Sequence, residues 1–393
     1  MDGKDVRTQK AENGTIIDTP IMRPYSAIGL KIIDKKKTNE DTGLKIQNNL
    51  LENNYIKVEF NGDGDIISFY DKANNREIVP AGKAANQMLA FEDRPLSWDA
   101  WDIDIFYEDK VFFSEPADSI KVIETGPLRA SLEIKRQILN SSYVQRISLA
   151  YNSMRLDFET DIDWQERCVL LKAAFPVEVL SSYATYEIQW GNVKKPTHQN
   201  TSWDWAKFEN CAQKWVDLSE PDFGVSLLND CKYGHDIRDN VIRISLLKSS
   251  IMPDPLADKG MHKFTYSLMP HSGPVGNKTI NAAYCLNDQI IACKSCGKSG
   301  KEQNLESMFK TDRENVVIET IKKAHDGNGF IVRMYESLGG RSGVALSASF
   351  DIKSCFETDL IEGNKNQLTV SGRSINFYIK PFQILTLRII QKK

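Results

Sequence analysis

No run of about eighteen apolar residues occurs in this 393-residue chain, which excludes a membrane-spanning helix of ordinary length. The opening MDGKDVRTQKAENG has no apolar core of the kind a signal peptide needs. Charge of one sign is also lacking: the net is −3. No cationic block is strong enough for nucleic acid, and Lys35, Lys36 and Lys37 stand in a polar stretch that reads as solvated surface. No phosphate-cradling GxxxxGK[ST], dinucleotide glycine fingerprint or GxSxG elbow is present. Histidine is scarce. His198, His235, His262, His271 and His325 are too dispersed to form a zinc site by spacing, and no HExxH occurs.

The seven cysteines, Cys168, Cys211, Cys231, Cys285, Cys293, Cys296 and Cys355, are scattered and odd in number. That favours reduced thiols in a cytoplasmic protein over a disulfide framework. Cys293 and Cys296 have the spacing of a redox or zinc pair, but no second pair follows and no βαβ pattern surrounds them. Neither use is expected.

What the chain does contain is period-two alternation. YIKVEF (55–60), DIISFYD (65–71), LRASLEIKRQI (128–138), YVQRISLAY (143–151) and MRLDFETDIDW (154–164) alternate apolar and polar residues, with NGDG, NSS and NS as turns. LLKAAFPV (170–177), YATYEIQW (183–190), GVSLLND (224–230), VIRISLL (241–247) and KFTYSLMP (263–270) continue the series. Helical periodicity is weak almost everywhere. The expected fold is all-β: a large antiparallel supersandwich of the galactose-mutarotase-like kind over 46–285, a connecting segment over 286–312, and a smaller β-sandwich over 313–393. Within 1–45, TQKAENGTIIDTP and DKKKTNEDTG read as loops and RPYSAIGLKII as a possible strand, the residue of an upstream β segment and linker.

Two clusters carry chemistry. The first stretch runs through residues 186–238 and sets Trp203, Asp204 and Trp205 among carboxylates and histidines. Aromatic faces with directional hydrogen-bonding groups suit a polar ligand, carbohydrate above all, and they suit equally a buried network with Trp203 and Trp205 as core anchors. Its end, Asn229, Asp230, Cys231, Lys232, Tyr233 and Gly234, follows an apolar run. Asp230 could accept from sugar hydroxyls, Lys232 or Arg238 could orient a carboxylate and Tyr233 could stack; a hairpin turn with a local salt bridge explains the same residues. The second cluster, PLSWDAWDID at 95–104, places Asp99 and Asp102 around Trp101, next to Trp98. Glycosidases use paired carboxylates about 5 to 9.5 Å apart, a separation that sequence does not measure.

These same stretches carry a resemblance. WDAWDI (98–103), ATYEIQWG (184–191), PTHQNTSWDWAKFE (196–209), KWVDLSE (214–220), FGVSLLNDCKYG (223–234), HKFTYSLMPHSG (262–273) and PFQILTLRI (381–389) resemble, in family order, the carboxyl-terminal half of glycoside hydrolase family 38 α-mannosidases of the cytosolic, class II type. The resemblance covers about residues 50–393. It implies a retaining hydrolase of terminal α-mannosyl linkages whose zinc ligands, nucleophile and principal acid/base lie in an amino-terminal catalytic domain outside this stretch. On that reading this chain has no catalytic residue and no metal of its own, and alone it is inactive. Its partners are the amino-terminal domain and, in the whole enzyme, a mannose-containing oligosaccharide, with self-association possible. The resemblance further implies that the Asn229–Gly234 loop with Arg238 approaches the active site. It makes WDAWD a second wall of the cleft and has Trp203, Asp204 and Trp205 hold these loops from behind. Two other functions remain open: an independent carbohydrate-binding β-sandwich, or a sugar mutarotase or epimerase, which would need a convergent acid and base.

Overall fold

The computed structural model describes residues 5–12, 14–31, 41–294 and 305–392, so Lys35, Lys36, Lys37 and Cys296 lie outside the described residues. Strands dominate throughout. Ser141–Ala150 and Leu156–Trp164 alternate buried residues with half-buried or exposed ones along their whole length, because one side of each faces the core and the other faces solvent. They belong to a nine-stranded antiparallel sheet. In spatial order its strands are Ser119–Thr125, Arg129–Ile138, Ser141–Ala150, Leu156–Trp164, Gly260–Ser272, Phe223–Asn229, Trp215–Ser219, Tyr183–Ile188 and Gly191–Pro196.

A six-stranded sheet lies against it, ordered Asn210–Cys211, Gly234–Arg238, Val241–Lys248, Val169–Pro176, Gln87–Glu92 and Val111–Phe113. Five short strands between Lys45 and Glu77 make a further sheet. All three contribute to one apolar core, in which Phe158 stacks on Tyr266 and Phe175 meets both rings. Val169–Pro176 differs from its neighbours in being buried on both faces. Leu171, Ala173 and Phe175 join the main core, whereas Leu170 packs with Phe91, Ile103 and Tyr107 on the other side.

After the helix Asn277–Asn287 comes a four-stranded and a five-stranded sheet enclosing a second core. The all-β expectation of a large sandwich followed by a smaller one is met. The two bodies are joined by packing: Ile280 and Ala283 of the helix sit on Trp215 and Leu228, with Val317 and Leu338 from beyond the joint against them. The Trp190 and Tyr335 rings meet edge to face, and Asn192 Nδ2 donates to the Ser337 carbonyl at 2.9 Å.

The beginning of the chain departs from expectation. TQKAENGTIIDTP is no loop: Thr8–Ala11 and Gly14–Ile17 pair as a hairpin, and Gln9 fixes it by accepting from the Leu128 and Arg129 amides. Only eight residues pair, too few for the sequence pattern to stand out, and the hairpin is held by this long-range amide contact. In the described part of RPYSAIGLKII the β pairing is a single bridge, Ala27 to Leu305.

Candidate functional site

The side of the six-stranded sheet that faces away from the main core is where the tryptophan segments gather. Strand periodicity puts Lys172, Asp236, Arg238, Arg243 and Ser245 on that side, and the register sets Asp236 directly opposite Arg243 and Lys172 opposite Ser245. Lys172 is 0% exposed. Its ammonium lies 2.6 Å from Asp236 Oδ2 and 3.2 Å from Glu209 Oε1, and 5.6 Å from the centre of the Tyr107 ring. Arg243 continues the row, with Nε at 2.5 Å from Asp236 Oδ1 and Nη1 at 2.6 Å from Glu108 Oε1. Arg238 closes it by pairing with Glu108 Oε2.

Burial opposes the charge on Lys172, yet Asp236 and Glu209 outweigh it and hold its pKa above the ordinary lysine value. Burial likewise works against ionised Asp236, and Lys172 and Arg243 overcome it, so that its pKa falls below the usual carboxylate value. Tyr107, pushed up to about 12 by burial and then by Asp236, stays a neutral phenol. The row is thus a chain of alternating fixed charges. On the core side of Gly234–Arg238, burial pulls His235 down to about 4. Its Nδ1 lies 3.1 Å from the Tyr233 carbonyl, and its Nε2 has no hydrogen-bond partner among the described residues.

Two loops cover this row. Residues 93–110 carry Trp98 and Trp101, whose rings meet edge to face at 6.2 Å and are 73% and 72% exposed. Asp99 anchors the loop by accepting from the Ile251 and Met252 amides, and Asp102 accepts from the Ile103 amide at 2.9 Å. The second loop contains the short helix Ser202–Trp205, begun by Thr201, whose hydroxyl accepts from the Asp204 amide at 3.1 Å and donates to its carboxylate at 2.8 Å. Trp203 is 80% and Trp205 42% exposed. They are not core anchors: a single helical turn leaves their rings outward. A small recess between this helix and the sheet is lined by His198, Asp204, Lys207, Asp236 and Arg238 among others.

The structure divides the sequence-chosen residues. Arg238 joins the 93–110 loop through Glu108 and reaches the Tyr107 hydroxyl at 3.3 Å. The Asn229 and Asp230 side chains are instead committed to the backbone: Asn229 donates to the Gln213 carbonyl and accepts from the Lys232 amide, and Asp230 accepts from the Thr265 amide. The Lys232 ammonium lies 5.1 Å from the centre of the Phe264 ring, and Tyr233 is exposed. Sequence reasoning missed Lys172, Asp236, Arg243, Glu108 and Glu209. The signal was a lone lysine inside VLLKAAF and opposite charges in the paired strands GHDIR and VIRISLL.

Among the described residues no group of three or more His, Cys, Asp or Glu is placed to hold a metal ion. Nor is any helix among them long and apolar enough to cross a membrane.

Comparison with known proteins gives a consistent picture. The family model for the glycosyl hydrolases family 38 C-terminal domain matches residues 51–256, and that for the family 38 C-terminal β-sandwich domain matches 315–387. Alpha-mannosidase G of Dictyostelium discoideum is 36% identical over 409 residues, covering 97% of this chain, and alpha-mannosidase 2C1 of Homo sapiens is 38% identical over 348 residues, covering 86%. This chain spans 37% and 33% of those two relatives. The crystal structure of an alpha-mannosidase from Enterococcus faecalis V583 superposes with a TM-score of 0.76 at 16% identity, over 98% of this chain and 48% of that one.

Proposed function

Since the chain belongs to glycoside hydrolase family 38, in its carboxyl-terminal β region, we propose that it serves as the non-catalytic part of an α-mannosidase. It supports the catalytic part and lends loops to the substrate pocket. The observation that carries this reading is coverage: two carboxyl-terminal family domains occur here in order, while the chain spans about a third of each relative's length. On this reading the nucleophile, the acid/base and the zinc belong to the remaining portion, where the metal would hold the sugar; no step of hydrolysis is assigned to a residue of this chain. Its residues bind and orient. Arg238 and the WDAWD loop border the cleft, with Asp99, Asp102 and Asp204 fixing the backbone that carries Trp98, Trp101 and Trp203. The divisions at 45/46, 285/286 and 312/313 belong to the same proposal. So does a cytoplasmic location, which the six described cysteines, all free, support.

The test is release of p-nitrophenol from its α-mannoside by the purified 393-residue chain, alone and joined to the upstream portion of alpha-mannosidase G. No turnover alone and turnover when joined is the expected result. Turnover by the chain alone, abolished by Asp99→Asn or Asp230→Asn, would replace this reading with a complete site. Exposed Trp98, Trp101 and Trp203 favour a second reading, a free-standing carbohydrate-binding module. Titration of the chain alone with a mannose oligosaccharide decides it.

A further inference from the structure

Each tryptophan-bearing loop ends in a glutamate, and both glutamates plug into the same buried row. Glu108 closes the 93–110 loop onto Arg243 and Arg238. Glu209 closes the second loop onto Lys172, and Ser245 donates to the same carboxylate. Between them Asp236 links Lys172 to Arg243, so the two loops are connected through alternating charges on a rigid sheet.

We propose that Glu108 and Glu209 are positioning residues that hold the two tryptophan loops as one docking surface for the catalytic portion of the α-mannosidase polypeptide. The inference rests on the functional reading above and goes beyond it by assigning the surface and the residues that set it. Three observations carry it. Exposed large apolar residues concentrate on these loops: Leu96, Trp98, Trp101 and Phe106 on one, Trp203 and Trp205 on the other. The ion row beneath them is a poor source of net stability, since its charges forgo hydration, and it earns its place through geometry instead. Large exposed rings held at fixed positions are what a protein partner uses as anchors, because little freedom is lost on contact. The occupant follows from length: the relatives carry roughly twice as much chain again beyond the matched region.

The experiment combines two readouts. Hydrogen exchange on the 393-residue chain is followed in Glu108→Gln and Glu209→Gln. Amides of 95–107 and 200–206 respectively should exchange at least about tenfold faster, with strands Val169–Pro176 and Val241–Lys248 unchanged. Association with the upstream portion of alpha-mannosidase G, and turnover of the pair, is then measured for the wild type, for both glutamine variants and for the double variant Trp98→Ala, Trp203→Ala. The double variant should keep wild-type exchange in the strands and bind at least about 30-fold more weakly. The glutamine variants should raise KM more than they lower kcat. Loops that exchange like wild type in both glutamine variants, or a double variant that associates like wild type, overturn the inference while leaving the functional reading intact. A wild-type chain that neither associates nor supports turnover overturns both.

Discussion

The two faces of the six-stranded sheet are made from the same strands and obey different rules. On the inner face Met88, Ala90, Leu171, Ala173, Phe175, Ile242 and Ile244 enter the main core, where nearly any apolar residue of the right volume would serve. On the outer face Lys172, Asp236 and Arg243 are equally hidden from water, yet each depends on a named partner at a fixed distance. Apolar burial is non-directional and degrades gradually. A buried charge row is all or nothing, because removing one member leaves another desolvated and unpaired.

The largest effect should come from breaking the outer face. Lys172→Ala should cost about 3–5 kcal/mol in denaturant unfolding, since Asp236 and Glu209 lose their shared cation. A smaller loss would mean that water replaces the ammonium and that the face is wetter than its packing.

His235 comes next. Its folded-state value of about 4 lies below the ordinary 6.5, because burial disfavours the charged ring. The unfolded chain therefore binds the extra proton first as pH falls. Stability from this residue is complete above about pH 6.5 and is lost by up to about 3 kcal/mol on descending towards pH 4. His271 works in the other direction: burial opposes its charge, but Asp217 at 2.7 Å outweighs it and raises its pKa. Its contribution is complete below about pH 6.5 and is lost as pH rises through the folded value, so the two windows do not overlap. In a pH series of unfolding curves, His235→Gln should flatten the slope below about pH 6.5 and leave the slope above it unchanged.

The inner face gives the smaller number. Ile244→Val removes one methylene from a fully buried side chain and should cost about 1 kcal/mol. If it costs as much as Lys172→Ala, the contrast between the faces fails. Least of all, Trp203→Ala should change the unfolding free energy by no more than about 0.5 kcal/mol, because the ring is 80% exposed.

The pattern of legibility follows the same division. Strands such as Ser141–Ala150 and Leu156–Trp164 were readable because solvent on one face imposes alternation. Gly234–Arg238 was not read as a strand. It is short and buried on both faces, and Asp236 and Arg238 disguise it as a loop. The helix Asn277–Asn287 escaped notice because it is short and its apolar stripe is narrow, with only Thr279, Ile280 and Ala283 buried. Among site residues, aromatics and acids in WDAWD and SWDW drew attention by composition, and their exposure could not be inferred from it. Glu108 and Glu209 looked ordinary, since their significance lies in partners more than a hundred residues or some tens of residues away along the chain.

Gly260–Ser272 has a bearing on how the molecule is made. This strand sits in the middle of the nine-stranded sheet, joining Leu156–Trp164 to Phe223–Asn229. On a ribosome its partner Leu156–Trp164 emerges first and must wait for on the order of a hundred further residues before its open edge is paired. During that interval the nascent chain presents a ready template to any neighbouring strand. Translation speed across 165–259 therefore governs how long the sheet stands half built, and a pause there favours aggregation over completion.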